Sequence, residues 1–490
     1  MNLTAPQDLL LVVLGITVLA PLAAAGWIAS GLSVRSPRTA AVVAMSLSLL
    51  ASLAVAWQWH SGHGVPVECG DRMGGGAFID IDGVTAVLLP YMALVGLGIV
   101  IVAPKRFLDA PATARTLAGV GATLALFSTA HPLVLVALSI VTVLPTWWSV
   151  RSTPGGSPAA RIFALAMVPA LVCLTAGTLL MLCDPPWEKN CGMVGATGGW
   201  LVAAAVLLRK GIVPVHSWYP ALFSAAPMST ALVATMPQVA SYLAVRLLIG
   251  HADHGQGVAV ELVVLSQLAL VTAVYGAALA LVQRELRGLI GMLAMSQSAL
   301  VLAGLSGKLP MELSGAFCVW VSSGLALTGI GLVAWALESR AGPLSLETHQ
   351  GRFRDSPMLA AFFLLFGLAC IGLPGTLSFV ADDLIVSGSL DEQLHAGLLV
   401  IAATVLSGIA VMRAWFMIFG GPAAVDGPRH QILPRERLAL TVLLATLFVL
   451  GINPAPLVRV LDRAAGHLLG VPVQADGHGP DGHAEPPAHP

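Results

Sequence analysis

The sequence predicts an all-α polytopic membrane protein with about fourteen transmembrane helices. Of its 490 residues, 57% are hydrophobic and only 10% are charged, whereas soluble domains carry roughly 25% charged residues. The mean hydropathy is +0.86, and no polar stretch is long enough to form a separate soluble domain. The formal net charge of −1 gives no reason to expect nucleic acid as a partner.

Apolar runs of roughly 17–25 residues are long enough to cross the hydrocarbon core of a bilayer as helices. The first run lacks the basic stretch that precedes the apolar region of a signal peptide and is longer than such a region, so we expect it to be the first membrane helix. The predicted spans are 9–29, 39–57, 84–103, 115–130, 133–150, 162–183, 195–214, 228–249, 257–283, 286–305, 313–338, 358–378, 394–419 and 435–455.

Basic residues are divided unevenly between the loops on the two sides of this arrangement. Of the 24 Lys and Arg residues, fifteen fall in loops on one side, six on the other, and three within or at the ends of spans. Loops rich in Lys and Arg remain in the cytoplasm. We therefore expect a bacterial-type inner membrane protein with both termini on the outer side.

The six cysteines show no spacing typical of a metal site. Cys69, Cys183 and Cys191 fall in predicted outer loops, where disulfides persist, so that a Cys183–Cys191 bridge and free thiols both remain open. Cys173, Cys318 and Cys370 lie within spans and are predicted to be small core residues. The tail at 471–490 is rich in Pro, Gly and His and is predicted to be disordered, weak metal binding by its histidines being the alternative.

The segment from Arg209 to Arg246 interrupts an apolar span beside a basic pair. Arg209 and Lys210 end a long apolar run, and Pro214, His216, Trp218, Pro220 and Pro227 follow before the apolar run resumes. Lipid offers no partner for backbone N–H and C=O groups, so a broken membrane helix must be surrounded by protein or water. Such helices mark ion or substrate sites in transporters.

A second interrupted span lies five spans later, at 370–390. Gly372, Pro374 and Gly375 break the helix, and Asp382 and Asp383 follow on its continuation. Interruptions at matching positions in two halves are typical of inverted repeats around midplane sites. The alternative is that the basic pair reaches to the interface and the acidic pair caps a half-helix.

Buried amine and carboxyl groups exchange protons near neutral pH more readily than exposed ones. Lys210, Asp382 and Asp383 could therefore pass protons through intervening water. Arg209 stays protonated in proteins and could only set the local field.

At these residues the chain resembles the proton-conducting antiporter-like subunits of respiratory complex I. The same family includes subunits of cation/proton antiporters, membrane-bound hydrogenases and inorganic-carbon uptake complexes. The resemblance covers roughly residues 75–421 and is carried by four motifs: DIDGVTAVLLP at 80–90, RKGIVPVHSWYP at 209–220, QRELRGLIGMLAMSQ at 283–297 and GLPGTLSFVADD at 372–383.

The family fold implies fourteen helices with two inverted five-helix repeats, in which helices seven and twelve are broken. It divides the chain into a three-helix segment at 1–110, repeats at 111–255 and 256–421, a C-terminal helix at 422–470 and the tail at 471–490. His216 matches the family histidine at the first break, and Asp382 matches the acid or lysine of helix twelve. Glu285 and Arg287 match an acidic and a basic position, and could form a structural ion pair.

Several titratable positions of the family are replaced in this chain. Arg209 takes the register of the helix-seven lysine, with Lys210 beside it, and Gln238 takes that of the helix-eight lysine, while Tyr242 and Arg246 match. The helix-five glutamate would lie near Ser139 or Ile140, in a span without a carboxylate. VSSGLALTGI at 321–330 replaces a His and a Lys.

The resemblance implies a proton- or ion-translocating membrane subunit of a complex-I-like NADH:quinone oxidoreductase or related ion-pumping complex. The expected path residues are Arg209, Lys210, His216, Gln238, Glu285, Gln297, Asp382 and Asp383. We expect no cofactor, no metal and no enzymatic activity of the chain alone; its partners are other membrane subunits, the lipid bilayer, and protons or Na+. The alternatives are a non-conducting scaffold subunit of such a complex, or a membrane partner in a cation/proton antiporter, hydrogenase or inorganic-carbon uptake complex.

Overall fold

The computed structural model describes residues 6–31, 36–61, 67–69, 77–104, 109–184, 192–249, 260–307, 309–422 and 431–470. Helices dominate these residues. They are α1 (Pro6–Ala29), α2 (Pro37–Ser61), α3 (Gly83–Val102), α4 (Ala110–Phe127), α5 (Pro132–Ser152), α6 (Ser157–Cys183), α7 (Met193–Lys210), α8 (Trp218–Ala225), α9 (Met228–Thr235), α10 (Val239–Ala244, followed by a π-helical turn Val245–Ile249), α11 (Val260–Leu281), α12 (Leu286–Gly304), α13 (Pro310–Ala341), α14 (Pro357–Ala369), α15 (Leu377–Glu392), α16 (Leu394–Phe419), α17 (Pro434–Ile452) and α18 (Ala455–Leu468).

Eleven helical segments of the described residues are long and apolar enough to cross a membrane, or twelve if α17 and α18 count as one bent span. This confirms the all-α membrane fold, whereas the count of fourteen spans stays a prediction. The predicted interruptions are present: Gly211–Ser217 separates α7 from α8, and Cys370–Thr376 separates α14 from α15.

The centre of the bundle is α13, the longest helix. Its 32 residues make it about 48 Å long at 1.5 Å per residue, and every side chain from Glu312 to Glu338 is buried. The segment Met228–Ile249 and α12 are almost as fully enclosed. Because these three elements face protein on all sides, polar groups within them meet other residues or enclosed water rather than lipid.

The described residues hold one small β-hairpin, formed by β1 (Val67–Cys69) and β2 (Ile79–Ile81). The strands pair antiparallel, with Val67 opposite Ile81 and Cys69 opposite Ile79. β2 leads directly into α3, whose N-cap Asp82 accepts a hydrogen bond from the backbone N–H of Thr85 at 2.8 Å. The hairpin therefore fixes the entry of the chain into its third helix.

Buried ion pairs connect helix ends at each of the two ends of the bundle. At the Arg246 end, defined by Asp80, Asp82 and Arg246, Arg246 pairs with both carboxylates. At the Arg287 end, defined by Arg287 and Glu338, this pair lies beside a second one between Arg340 and Glu436. The loops predicted to share a side meet in this way, while the side that faces the cytoplasm stays a prediction.

The C-terminal part differs from its prediction. The chain bends by 76° after Ile452 and continues as α18, which packs at the Arg246 end against Gly83. The prediction was a single C-terminal helix at 422–470. Cys183 is a free thiol, while its suggested partner Cys191 and the tail at 471–490 lie outside the described residues.

Candidate functional site

The first interruption begins at Gly211, directly after Lys210. Gly211 has a left-handed backbone with φ of +70° and closes α7 by donating to the carbonyls of Leu207 and Leu208. A Cβ at this position would lie 2.7 Å from Cδ2 of Tyr219, so only glycine fits. The indole Nε1 of Trp218 donates to Leu208 O at 3.2 Å. The carbonyls freed by the break are thus satisfied within the protein, as a membrane requires.

Lys210 points into the bundle and is only 2% exposed. Its ammonium donates to Oε1 of Gln238 at 2.6 Å and also to the hydroxyl of Ser241. A buried amine needs such partners, since a polar group without them costs several kcal/mol. Although Arg209 takes the register of the family lysine, Lys210 is the member of the basic pair that faces the interior.

Arg209 points away from Lys210, toward α5. Its guanidinium donates to Ser139 O at 3.2 Å and to the hydroxyl of Thr142 at 2.6 Å. Consecutive helix residues point about 100° apart, which separates the two cations. The place where the family pattern puts a carboxylate is filled here by a backbone carbonyl and a hydroxyl.

A third interruption lies at Gln238, between α9 and α10, within a span that was predicted to be continuous. Gln238 is the only residue other than glycine with a positive φ, +50°, in the described part of the chain. The carbonyls of Met236 and Pro237 lose their helical partners and accept hydrogen bonds from the hydroxyl of Tyr91 at 2.8 Å and from the indole of Trp320 at 3.1 Å. Pro237 is the sequence signal that could have revealed this break.

The break turns Gln238 toward the ammonium of Lys210. Gln238 is buried, and its backbone carbonyl starts α10 by accepting from the N–H of Ser241. Two interrupted spans therefore meet at one buried lysine, in a cluster that comprises Lys210, Gln238 and Ser241. We call this the Lys210 cluster.

Two other predicted path residues, His216 and Gln297, lie near the first break and within the core, respectively. His216 lies in the loop between α7 and α8, where its ring packs edge-on against Tyr275 with centroids 5.1 Å apart. Its Nδ1 is buried and has no hydrogen-bond partner among the described residues. Gln297 is buried within α12.

Glu285 is separate from these buried groups. It is an exposed residue at the N-cap of α12 and pairs through its backbone with Ser345. The ion pair that Glu285 and Arg287 could have formed is not present among the described residues. Arg287 donates instead to both carboxylate oxygens of Glu338, at 2.7–2.9 Å, and to Ala226 O at 2.8 Å. Glu338 lies 51 positions away along the chain, so local sequence could not identify it.

The acidic pair of the second interruption is also split by helix geometry. Asp382 is half-buried in α15, while Asp383 is exposed on the surface of the isolated chain. A Cβ added to Gly372 would lie 2.7 Å from Oδ2 of Asp382, so the carboxylate folds back against the loop that breaks the helix. Gly372 has φ of +83°, and this close approach requires glycine. No direct hydrogen bond joins Asp382 to the Lys210 cluster in the described structure.

Arg246, at the end of the interrupted span, pairs with two carboxylates of the DIDGVTAVLLP motif at 80–90, far away in the sequence. Its NH1 is 3.0 Å from Asp80 Oδ2 and 2.9 Å from Asp82 Oδ2, its NH2 donates to the hydroxyl of Thr85 at 3.0 Å, and its guanidinium lies over the ring of Tyr242. Burial by itself raises the pKa of Asp82, but the Arg246 charge and the Thr85 N–H hold this pKa below its usual range. The arrangement, which we call the Arg246 lock, fastens the hairpin and α3 to the end of the interrupted span.

The site as a whole contains a buried amine at two helix breaks and a half-buried carboxyl at another. Neutral side chains lie in the enclosed helices of the core: Ser322, Ser323 and Thr328 on α13 are buried, and the hydroxyl of Thr328 has no hydrogen-bond partner among the described residues. Unsatisfied buried hydroxyls are where enclosed waters bind. Such groups can hold a water chain, and the amine and the carboxyl can exchange protons with it.

Comparisons with known proteins agree with this architecture. The family model "NADH:quinone oxidoreductase/Mrp antiporter, TM" matches residues 167–409. The chain is similar to NADH-quinone oxidoreductase subunit M of Mycobacterium tuberculosis (strain ATCC 25618 / H37Rv), with 25% identity over 274 residues, which are 55% of this chain and 49% of the relative. The match therefore spans about half the length of such curated relatives.

Two solved structures share the fold. A chain of respiratory complex I from Thermus thermophilus with bound NADH superposes with a TM-score of 0.83 at 22% identity, over 94% of this chain and 100% of that chain. A chain of the Mrp complex from Dietzia sp. DQ12-45-1b superposes with a TM-score of 0.79 at 17% identity, over 94% of this chain and 98% of that chain.

Proposed function

We propose that this chain, which belongs to the NADH:quinone oxidoreductase/Mrp antiporter family of membrane subunits, translocates protons as one membrane subunit of a complex-I-like NADH:quinone oxidoreductase. The observation that carries the proposal is the buried Lys210 ammonium, held by Gln238 and Ser241 where two interrupted spans meet. An ionisable group placed inside a membrane bundle is expensive to keep, and it marks ion pathways. Energy for transport would come from partner subunits, since this chain has no motif for a redox cofactor.

Each cation of the basic pair has its own role in this proposal. Lys210 takes up and releases the proton, and Gln238 orients the ammonium and connects it to enclosed water. Arg209 stays protonated and acts as a fixed positive charge beside Lys210, which favours release of the proton. Asp382 is the exchanging group of the second half, and Asp383 lies next to it at the surface, where another subunit would cover it.

The remaining path residues act through water. His216 would relay protons at the first break, where its Nδ1 has no hydrogen-bond partner in the described structure. Gln297 would hold water in the core, and Glu285 would collect protons at the end of α12. We place the Arg287 end in the cytoplasm and both termini outside, with five-helix repeats at 111–255 and 256–421 around the two charge sites.

Replacement of both exchanging groups tests the proposal. The complex is purified through a tag on this chain and reconstituted into liposomes, and proton uptake driven by NADH and a quinone is compared with electron transfer. The double variant Lys210→Met, Asp382→Asn should lower the number of protons moved per electron pair while the complex still assembles. Pumping at the wild-type ratio would show that these residues are not on the path.

A second candidate function is a scaffold subunit that keeps the fold without conducting. The contacts of Arg209 favour it, because a non-titrating cation and a neutral partner stand where the family pattern has a lysine and a glutamate. In that case the double variant would pump normally, while deletion of the chain would disassemble the complex.

A third candidate is a membrane partner in a cation/proton antiporter, hydrogenase or inorganic-carbon uptake complex. The same liposomes distinguish the antiporter case, since an imposed Na+ gradient would drive proton movement without any electron donor.

A further inference from the structure

A small, partly open cavity lies at the Arg246 end of the bundle. It has a volume of about 50 Å³ and lies between α11, α12, α13, α15 and α16. A water molecule needs roughly 10–15 Å³ of such volume, so the cavity has room for a few waters or one partly hydrated ion. Its polar lining comes from Ser266, Gln267, Ser306, Glu312, Ser389 and Gln393.

The fold makes room for the carboxyl group of Glu312 beside this cavity. Glu312 is only 6% exposed, and Oε1 accepts a hydrogen bond from the hydroxyl of Ser389 at 3.3 Å. A Cβ at Gly307 would lie 2.5 Å from Oε2, and one at Gly388 would lie 3.0 Å from Cβ of Glu312. Larger side chains at either glycine would displace the carboxyl from the cavity wall.

One face of α15 leads from this cavity to Asp382. Asp382, Ile385 and Ser389 are spaced three and then four positions apart, so they follow one stripe of the helix. Seven residues advance the helix by about 10 Å. Ile385, which is buried and lines the cavity, lies between the two polar residues.

The other titratable groups around the cavity belong to the described parts of α15, α16 and α18. Asp382 lies on the same stripe of α15. His395 contacts the lining residue Gln267 at 3.1 Å. Asp462 accepts a hydrogen bond from the hydroxyl of Ser314, which lies two positions after Glu312. Asp462 belongs to the surface helix α18, so the cavity lies near one face of the membrane.

We propose that the Glu312 cavity is a binding station for the transported monovalent cation, a proton or Na+, between Asp382 and the surface at the Arg246 end. The carboxylate and the surrounding hydroxyl and amide oxygens are hard ligands suited to either ion. Ile385 separates the station from Asp382 by an apolar contact, so that the two carboxyl groups exchange the ion only when water enters between them. This inference rests on the transport function proposed above.

The station can be tested without transport, by labelling with dicyclohexylcarbodiimide. This reagent takes the proton of a neutral carboxyl group onto a nitrogen, while the carboxyl oxygen bonds to its central carbon. We expect the reagent mass on Glu312 in the wild-type complex at mildly acidic pH. Glu338, at the other end of α13, is the matched control, because its ion pair with Arg287 should leave it unlabelled.

The ion is identified by repeating the labelling with added Na+ and at higher pH. If Na+ protects Glu312 at constant pH, the station takes Na+; if only a higher pH protects it, the station takes protons. Labelling of Glu312 no stronger than that of Glu338 would overturn the proposal.

Transport variants separate this inference from the function on which it rests. Glu312→Gln should lower pumping as much as Asp382→Asn does. If Lys210→Met and Asp382→Asn both lower pumping while Glu312→Gln pumps normally, the station is wrong and the function stands. If none of the three variants affects pumping, the transport function is wrong, and the role of Glu312 as a station for the transported ion falls with it.

Discussion

The Arg246 lock allows a quantitative prediction about stability. Arg246→Met would leave Asp80 and Asp82 facing each other, with side chains only 13% and 15% exposed. Two opposite charges about 4 Å apart attract by about 4 kcal/mol at an effective dielectric constant near 20. The variant also no longer bears the cost of removing the arginine charge from water, and this offsets part of the lost attraction. Breaking a buried pair from one side costs about 3–5 kcal/mol, and we expect this loss in the free energy of unfolding.

The matched control is Arg284→Met. Arg284 also pairs with a carboxylate, Glu347, at 3.4 Å, but the two side chains are 83% and 57% exposed. Exposed pairs contribute about 0–1 kcal/mol. Unfolding of both variants is measured in mixed detergent micelles by intrinsic fluorescence. Equal losses in the two variants would refute the argument that burial makes the lock strong.

The pH dependence of the lock has a definite sign. Because the pKa of folded Asp82 lies below its usual value, this residue stabilises the fold above that usual value, and the contribution is lost as the pH falls through the folded pKa. In Arg246→Met the Arg246 charge is gone and burial is opposed only by the hydrogen bonds from Thr85, so the folded pKa of Asp82 should rise above its wild-type value. The variant should then become more stable relative to wild type as the pH falls from 7 toward about 4. A constant difference between them would contradict this.

Three further predictions concern the helix breaks. Gly211→Ala should destabilise the chain more than Gly31→Ala, because both glycines have φ near +70° but a Cβ would clash only at Gly211; left-handed strain alone costs about 1–2 kcal/mol, and thermal unfolding measures the excess. Tyr91→Phe should cost about 1–3 kcal/mol, since it leaves a buried carbonyl without its donor, and unchanged stability would argue against this hydrogen bond. Asp382→Asn should lower pumping more than Asp383→Asn in liposomes, and the reverse order would contradict the assignment of the half-buried Asp382 as the exchanging group.

The sequence was sufficient for the membrane fold and for the two interruptions near Gly211 and Gly372, because glycine and proline act locally on the backbone. It missed the break at Gln238, since the apolar character of 228–249 continues through Pro237. It also did not predict α18, because the charged and polar residues on one face of this helix interrupt its apolar sequence.

Long-range contacts could not be predicted from the sequence because their partners lie far apart along the chain. Arg246 lies more than 160 positions from Asp80 and Asp82, and both motifs were noticed without any indication that they meet. Likewise, Arg287 was matched to its neighbour Glu285, whereas packing of α12 on α13 supplies Glu338. Which cation of the basic pair points inward depends on the rotation of α7, and this is set by its packing partners.

The central claim is that Lys210, and not Arg209, exchanges the transported proton. The most direct test measures protons moved per electron pair in liposomes that carry the complex with Lys210→Met or with Arg209→Met. We predict a large loss for Lys210→Met and a smaller one for Arg209→Met, because only the first removes a group that can titrate. A wild-type ratio in Lys210→Met, with full incorporation of the chain into the complex, would contradict the claim.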